Sequence, residues 1–350
     1  MNQRLKKLRV LLREHRLDAL LVSHQPNIRY LTGFPAEESW LLVGLNKVFY
    51  ITDSRYTLQA RKGLKGIPTV QYGPSFFVTL FELVKKNRLK RLGFEERYCS
   101  VAQLKLLKKH GPSGIKLIGL ERLVERLREV KELEELENIQ KALKVHEESY
   151  RYLRRILRPG LSEYDVFLKL ERFVKARGCG FSFDPIVASG SNSCFPHAKV
   201  TQRRIRSNDI VLIDWGIDYK GYKSDLTRMF FLGKIPKLIR TVNDTVIAAQ
   251  QKAIEFIKPN VPIAQVDYQA RNYLEKQRLA KFFGHSLGHG VGLEIHEDPR
   301  VSQNNKAKLQ EGMVITVEPA VYIPNKFGIR IEDMVLVTKK GAKVLSGHIY

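Results

Sequence analysis

Cysteine is scarce in this chain, and acidic side chains are outnumbered. Three cysteines among 350 residues, Cys99, Cys179 and Cys194, form no close pair. That excludes a disulfide framework and a CxxC-type zinc site, and it suits reduced thiols in a cytoplasmic protein. No run of 18 or more apolar residues occurs, so no transmembrane helix is expected. Residues 1–22 are basic, but charge interrupts their apolar stretches, and no secretory signal is expected. Acidic residues number 36 against 60 basic ones, a formal net charge of +24. Residues 1–124 alone carry 23 basic and 9 acidic groups. Such an excess attracts nucleic acid or other anionic surfaces. No zinc-finger, RGG-type or aromatic-interleaved segment accompanies it, so nucleic-acid binding is expected only as a weak charge effect.

What is present is a globular composition, 43% hydrophobic, at a length suited to two domains. Leu5, Leu8 and Leu12 recur at helical spacing and predict an amphipathic helix over 2–16. A buried strand at 19–22 follows, then two strands at 40–43 and 48–51 joined by a turn at 44–47. This alternation predicts a small α/β domain. Residues 121–157 read as one long or two short charged helices stopped by Arg158-Pro159-Gly160. Ser162 and Asp165 then make a capping box for the next helix. Beyond 180 the pattern turns to strands and glycine-rich turns, with helices near 240–258 and 264–280. The expected organisation is an α/β (α+β) chain with domains 1–124 and 125–350.

The second domain contains acids in unexpected places. In "DWGIDYKGYKSD", residues 214–225, apolar strand-like runs flank a polar turn. A turn centred on Tyr219-Lys220 sets Asp214 opposite Asp225. A second hairpin centred on Asn325 sets Glu318 opposite Glu332. Like charges paired across strands destabilise a sheet, and an unpaired buried carboxylate costs several kcal/mol or takes up a proton. Four acids need compensating positive charge beyond what Arg330 supplies. Divalent cations provide it, and carboxylates with one imidazole form a hard ligand set suited to manganese, cobalt, iron or zinc. His285 and His289 stand four apart, but Gly288, Gly290 and Gly292 argue against a helix, and no glutamate follows His285. The helical HExxH zinc reading therefore fails.

Taken together, "PHAKV" with His197, "DWG" and "GYKSDLTR", "HSLGHGVGLEIHEDP", "VEPAVY" and "GIRIED" resemble the pita-bread metallopeptidases of the creatinase, aminopeptidase P and prolidase type. "LDALLVSHQPNIRYLTGF" and "DSRYTLQA" are similar to the creatinase-like N-terminal domain of those proteins. The resemblance implies a small creatinase-like domain followed by a pita-bread catalytic domain with a curved antiparallel sheet. It implies two divalent metal ions per chain, manganese foremost, held by Asp214, Asp225, His289, Glu318 and Glu332, with Asp225 and Glu332 bridging. By that resemblance the ions would activate a bridging water as hydroxide.

By the same resemblance Glu318 shuttles a proton and His296 donates to the developing oxyanion. His197 assists catalysis and, with His285, holds the substrate, while Arg330 supports carboxylates and substrate. The implied activity is hydrolysis of the Xaa-Pro bond at peptide N-termini, an Xaa-Pro aminopeptidase. Xaa-Pro dipeptidase (prolidase) is the alternative, and a non-catalytic pita-bread binding module or a metal-free creatinase-type hydrolase lies further off. The expected partners are peptides with proline second and a second copy of the chain in a homodimer. Trp215 and Ile217 depart from the small residues common beside Gly216, and Ala320 replaces a usual glycine.

Overall fold

The computed structural model describes residues 3–347 and Ile349. It divides into two compact units, one ending at Arg128 and the other beginning at Glu129.

The first unit contains α1 (Gln3–Glu14), β1 (Ala19–Val22), α2 (Gln25–Thr32), β2 (Ser39–Gly44), β3 (Val48–Thr52), α3 (Ser54–Gly63), β4 (Thr69–Gln71), α4 (Phe76–Lys86), β5 (Arg91–Glu95), α5 (Val101–His110) and β6 (Lys116–Leu120). The leucines of α1 turn inward as their spacing predicts: Leu5, Leu8 and Leu12 are all buried. The strands form one mixed sheet in the order β4-β3-β2-β1-β5-β6. The β2–β3 hairpin pairs Val43 with Val48 around the expected turn, where Gly44 N donates to Lys47 O (2.8 Å).

A short helix, α6 (Glu125–Glu129), leads to the second unit. There follow α7 (Leu133–Ile156), α8 (Glu163–Lys175), β7 (Gly180–Phe181), β8 (Ile186–Ser189), β9 (Ile210–Trp215), β10 (Ile217–Tyr219), β11 (Tyr222–Lys223) and β12 (Leu226–Phe231). The chain continues with α9 (Lys237–Phe256), α10 (Ile263–Lys276), β13 (Gly288–Gly290), β14 (Glu297–Val301), β15 (Val314–Val317), β16 (Ala320–Ile323), β17 (Phe327–Arg330), β18 (Asp333–Thr338) and β19 (Gly341–Val344). Strand pairing among the described residues of this unit is antiparallel throughout.

The unit is built twice over. Helix α7 ends at Ile156 and α8 begins at Glu163, while α9 ends at Phe256 and α10 begins at Ile263. The first pair packs Leu153, Val166 and Leu170 on Val211, Ile213 and Trp215. The second packs Val246, Ala249, Val266 and Ala270 on Ile315, Val317 and Val335. Each helix pair thus covers one sheet. The capping box at α8 forms as predicted, Ser162 Oγ accepting from Asp165 N (2.9 Å) and Asp165 Oδ2 from Ser162 N (2.8 Å).

Candidate active site

The aspartate hairpin adopts a different register from the expected one. Thr227, not Asp225, lies opposite Asp214, and Tyr219 pairs with Tyr222. The turn residues are Lys220 and Gly221, both at positive φ (49° and 82°), which makes a two-residue type I′ turn matched to strand twist. Glycine takes the second central position, and the turn centre moves one residue along. Every partner therefore shifts by two, an even step, so Asp214, Thr227 and Asp225 still share a face. Asp225 lies opposite Gly216, where a Cβ would come 2.3 Å from Ser224 O.

The second hairpin has the expected register. Val317 pairs with Asp333 in β15–β18, and Ala320 with Arg330 in β16–β17. Glu318 and Glu332 fall between these pairs. Glu332 N donates to Thr227 O (3.3 Å), which joins the two acidic hairpins.

His289 reaches the acids from β13. Its backbone approaches β15 so closely that a Cβ at Gly288 would lie 2.0 Å from Thr316 O. Nδ1–H of His289 donates to Gly290 O (3.1 Å), leaving the bare Nε2 3.5 Å from Asp225 Oδ2 and 3.4 Å from Glu318 Oε1. Burial lowers the ring pKa to about 3, so the imidazole is neutral and Nε2 presents a lone pair. Side-chain ligand atoms of Asp225, His289 and Glu332 come within 4.8 Å of one another.

The four carboxyls are held in an environment that resists their charge. Burial raises Asp225 well above the usual carboxylate range, reinforced by Glu332, Asp214 and Glu318. Glu332 is raised likewise, by burial and then Glu318 and Asp214. Glu318 is pushed up to about 8, by burial first, against the pull of Arg330. Asp214 is raised by burial in spite of Arg330, and its Oδ1 is buried with no hydrogen-bond partner. A lone-pair nitrogen facing carboxylate oxygens, beside a buried orphan oxygen, is a donor set that fits a cation.

Arg330 is 4% exposed and committed to this cluster. Its Nη2 donates to Asp214 Oδ2 (2.5 Å), Nε to Thr227 Oγ1 (2.9 Å), and Nη1 to Pro196 O (3.2 Å) and Tyr322 OH. Thr227 Oγ1 in turn donates to Glu332 Oε2 (2.7 Å). Tyr322 OH faces His285 Nε2 at 3.4 Å. His285 Nδ1 donates to Ser286 O (2.8 Å) and lies 3.9 Å from Glu318 Oε2; burial lowers this ring to about 4. His296 is exposed and packs edge-on against His289, ring centroids 4.2 Å apart. The exposed His197 is near enough for its charge to act on Asp214, His285 and His296.

The motifs assign no role to several residues that hold this arrangement. Thr227 and Tyr322 are two examples, although Thr227 falls two residues after Asp225 on the same strand face. Arg228 is another. It donates to Glu332 O (2.6 Å) while forming a buried ion pair with Asp333 (2.7 Å). Glu163 gathers the loop leading to His197, accepting from Ser189 N (2.7 Å), Asn192 Nδ2 (3.1 Å) and Thr201 N (3.1 Å).

Residues 137–339 match the model of metallopeptidase family M24, and residues 4–130 match the creatinase/prolidase N-terminal domain. The chain belongs to that metallopeptidase family. As a family peptidase it is an enzyme, and the reading as a non-catalytic module falls away. It is 33% identical to an Xaa-Pro dipeptidase of Pyrococcus horikoshii over 99% of this chain and 97% of the relative. An Xaa-Pro dipeptidase structure from Bacillus anthracis superposes at TM-score 0.94 with 32% identity, covering 99% of this chain and 97% of that one. An X-Pro aminopeptidase structure from Thermotoga maritima does so at 0.91 with 33% identity, covering 98% and 97%. The creatinase-like and pita-bread architecture is therefore shared with solved relatives. No helix among the described residues is long and apolar enough to cross a membrane.

Proposed function

We propose that this M24 peptidase is an Xaa-Pro dipeptidase, cleaving the bond before proline in dipeptides. The observation that carries this is the near-full-length match at TM-score 0.94 to the Xaa-Pro dipeptidase structure from Bacillus anthracis. The aminopeptidase favoured by the sequence takes second place, kept in view by the Thermotoga aminopeptidase structure.

Asp214, Asp225, His289, Glu318 and Glu332 would hold two divalent cations, manganese first among manganese, cobalt, zinc and iron. Bound there, the cations supply Lewis acidity and an activated water. Glu318, whose carboxyl has a raised proton affinity in this site, takes the proton of the attacking water and passes it to the leaving imino nitrogen of proline. His296 donates a hydrogen bond to the developing oxyanion; its removal is expected to lower kcat/KM about 100-fold, near 3 kcal/mol. His197 and His285 hold the substrate around the proline ring. Arg330, fully engaged by protein acceptors, acts on the site through Asp214 and through the Tyr322–His285 contact. The reading also takes the enzyme as a cytoplasmic homodimer, which light scattering tests for assembly.

The deciding experiment is hydrolysis of Ala-Pro and Ala-Pro-Ala by EDTA-stripped protein, with and without Mn2+ or Co2+. Metal-restored cleavage of Ala-Pro alone is expected. Cleavage of both would make the enzyme an aminopeptidase. Cleavage of neither, with Mn2+ bound, would overturn Xaa-Pro specificity.

A further inference from the structure

His146 is a buried imidazole that the chemistry above does not use, and Trp215 is the bulky residue that departs from the family pattern beside Gly216. The two pack together. His146 lies midway along α7 at 0% exposure, its ring centroid 4.2 Å from that of Trp215. Its Nδ1 shares a hydrogen bond with Ser224 Oγ (3.1 Å), which also accepts from Ile217 N (3.1 Å). Ser149, three residues along and also buried, donates from Oγ to His146 O (2.6 Å). The same Oγ accepts from Trp215 Nε1 (2.8 Å).

Trp215 is the chain neighbour of Asp214, and Ser224 that of Asp225. One face of α7 therefore grips both arms of the aspartate hairpin, each grip one residue from a candidate ligand. Asp225 has weak backbone anchorage of its own, since its N–H is directed at the sulfur of Met334 (3.3 Å), a poor acceptor. Histidine is also a costly choice at this place. Burial, aided by the charge of Arg228, keeps the ring neutral, and Nε2 is buried with no hydrogen-bond partner. An apolar side chain would fill the space and leave no orphan atom. The contact that repays the imidazole is the one to Ser224.

We propose that His146 and Ser149 are positioning residues that set the spacing of Asp214 and Asp225, so that cation affinity depends on them. The proposal rests on reading those aspartates as cation ligands. Its test is calorimetric titration of Mn2+ into EDTA-stripped full-length protein, with the melting temperature of each stripped variant measured alongside. The variants are His146→Leu, His146→Asn and Ser149→Ala. Leucine keeps apolar bulk but loses the contact, whereas the asparagine amide reaches the place of Nδ1 and leaves part of the ring space empty.

The Kd for Mn2+ is expected to rise about tenfold or more in His146→Leu and Ser149→Ala, and to stay within about threefold of the wild type in His146→Asn. Asparagine is expected to melt lower than leucine while binding better, an order that a purely structural role would reverse. Affinities that track melting temperature, or an unchanged Kd in the leucine and alanine variants, would overturn the proposal. If His146→Leu does not fold, Ser149→Ala decides the matter. A wild type that binds no Mn2+ would overturn the metal reading itself, and this proposal with it.

Discussion

Glu318 illustrates how a single side chain links site chemistry to stability. Its carboxyl titrates near 8 in the folded protein against an ordinary value of 4.5, so between those values the folded state holds a proton that the unfolded chain has released. Stability from this group is fully present below about pH 4.5 and is lost as pH rises through about 8. Asp225 and Glu332 are shifted in the same direction. Metal-stripped protein is therefore expected to melt at lower temperature as pH rises from about 5 to 8, and Glu318→Gln should flatten part of that fall. Saturating Mn2+ should offset it, because a bound cation replaces the protons. Differential scanning calorimetry across the pH series checks all three expectations. A melting temperature that rises over this interval in the stripped wild type would contradict the account.

At the scale of elements, the site depends on segments that are far apart in sequence and fastened by buried charge. Lys131, in the stretch between α6 and α7, donates to Glu297 Oε1 (2.7 Å) at the start of β14, with side chains 0% and 5% exposed. Glu297 Oε2 also accepts from Glu294 N (3.3 Å), so the pair braces the loop whose last residue is His296. Breaking a buried pair strands a charge. Lys131→Met is expected to cost about 3 kcal/mol of unfolding free energy by denaturant titration, and adding Glu297→Leu should recover part of it. A single substitution costing nothing would mean that the pair is not desolvated in solution.

The two hairpins contrast in how far their sequences disclosed them. The Glu318–Glu332 register follows from the hydrophobic runs on either side of Asn325. The aspartate hairpin shifted because Lys220-Gly221, a short-range conformational preference, outweighed the centring of its apolar runs.

For the molecule as a whole, the +24 charge is the property that reaches furthest into solution. Arginines gather on α7 and just past the end of α8, where Arg151, Arg154, Arg155 and Arg177 line an open groove with Phe173 and Glu148. Arg177 is partly neutralised there by Glu148 (2.6 Å). Mixed-sequence DNA followed by fluorescence anisotropy is expected to bind weakly at low salt and to lose at least about tenfold in affinity between 50 and 200 mM salt. Tight binding that survives the higher salt would point to a dedicated nucleic-acid site instead of a charge effect.

Local chemistry alone yielded a good deal: the capping box of α8, the leucine face of α1, the β2–β3 turn, and four acids beside apolar strand-like runs. Each depends on neighbours a few residues away, where steric and hydrogen-bonding preferences act directly. Tertiary structure decided the rest. Arg330 is bound to Asp214, 116 residues away, and Thr227 to Glu332, 105 residues away. His146 meets Ser224 across 78 residues. Such contacts follow from how two helix pairs pack on two sheets, and packing depends on the summed burial of many side chains, which no short window of sequence contains.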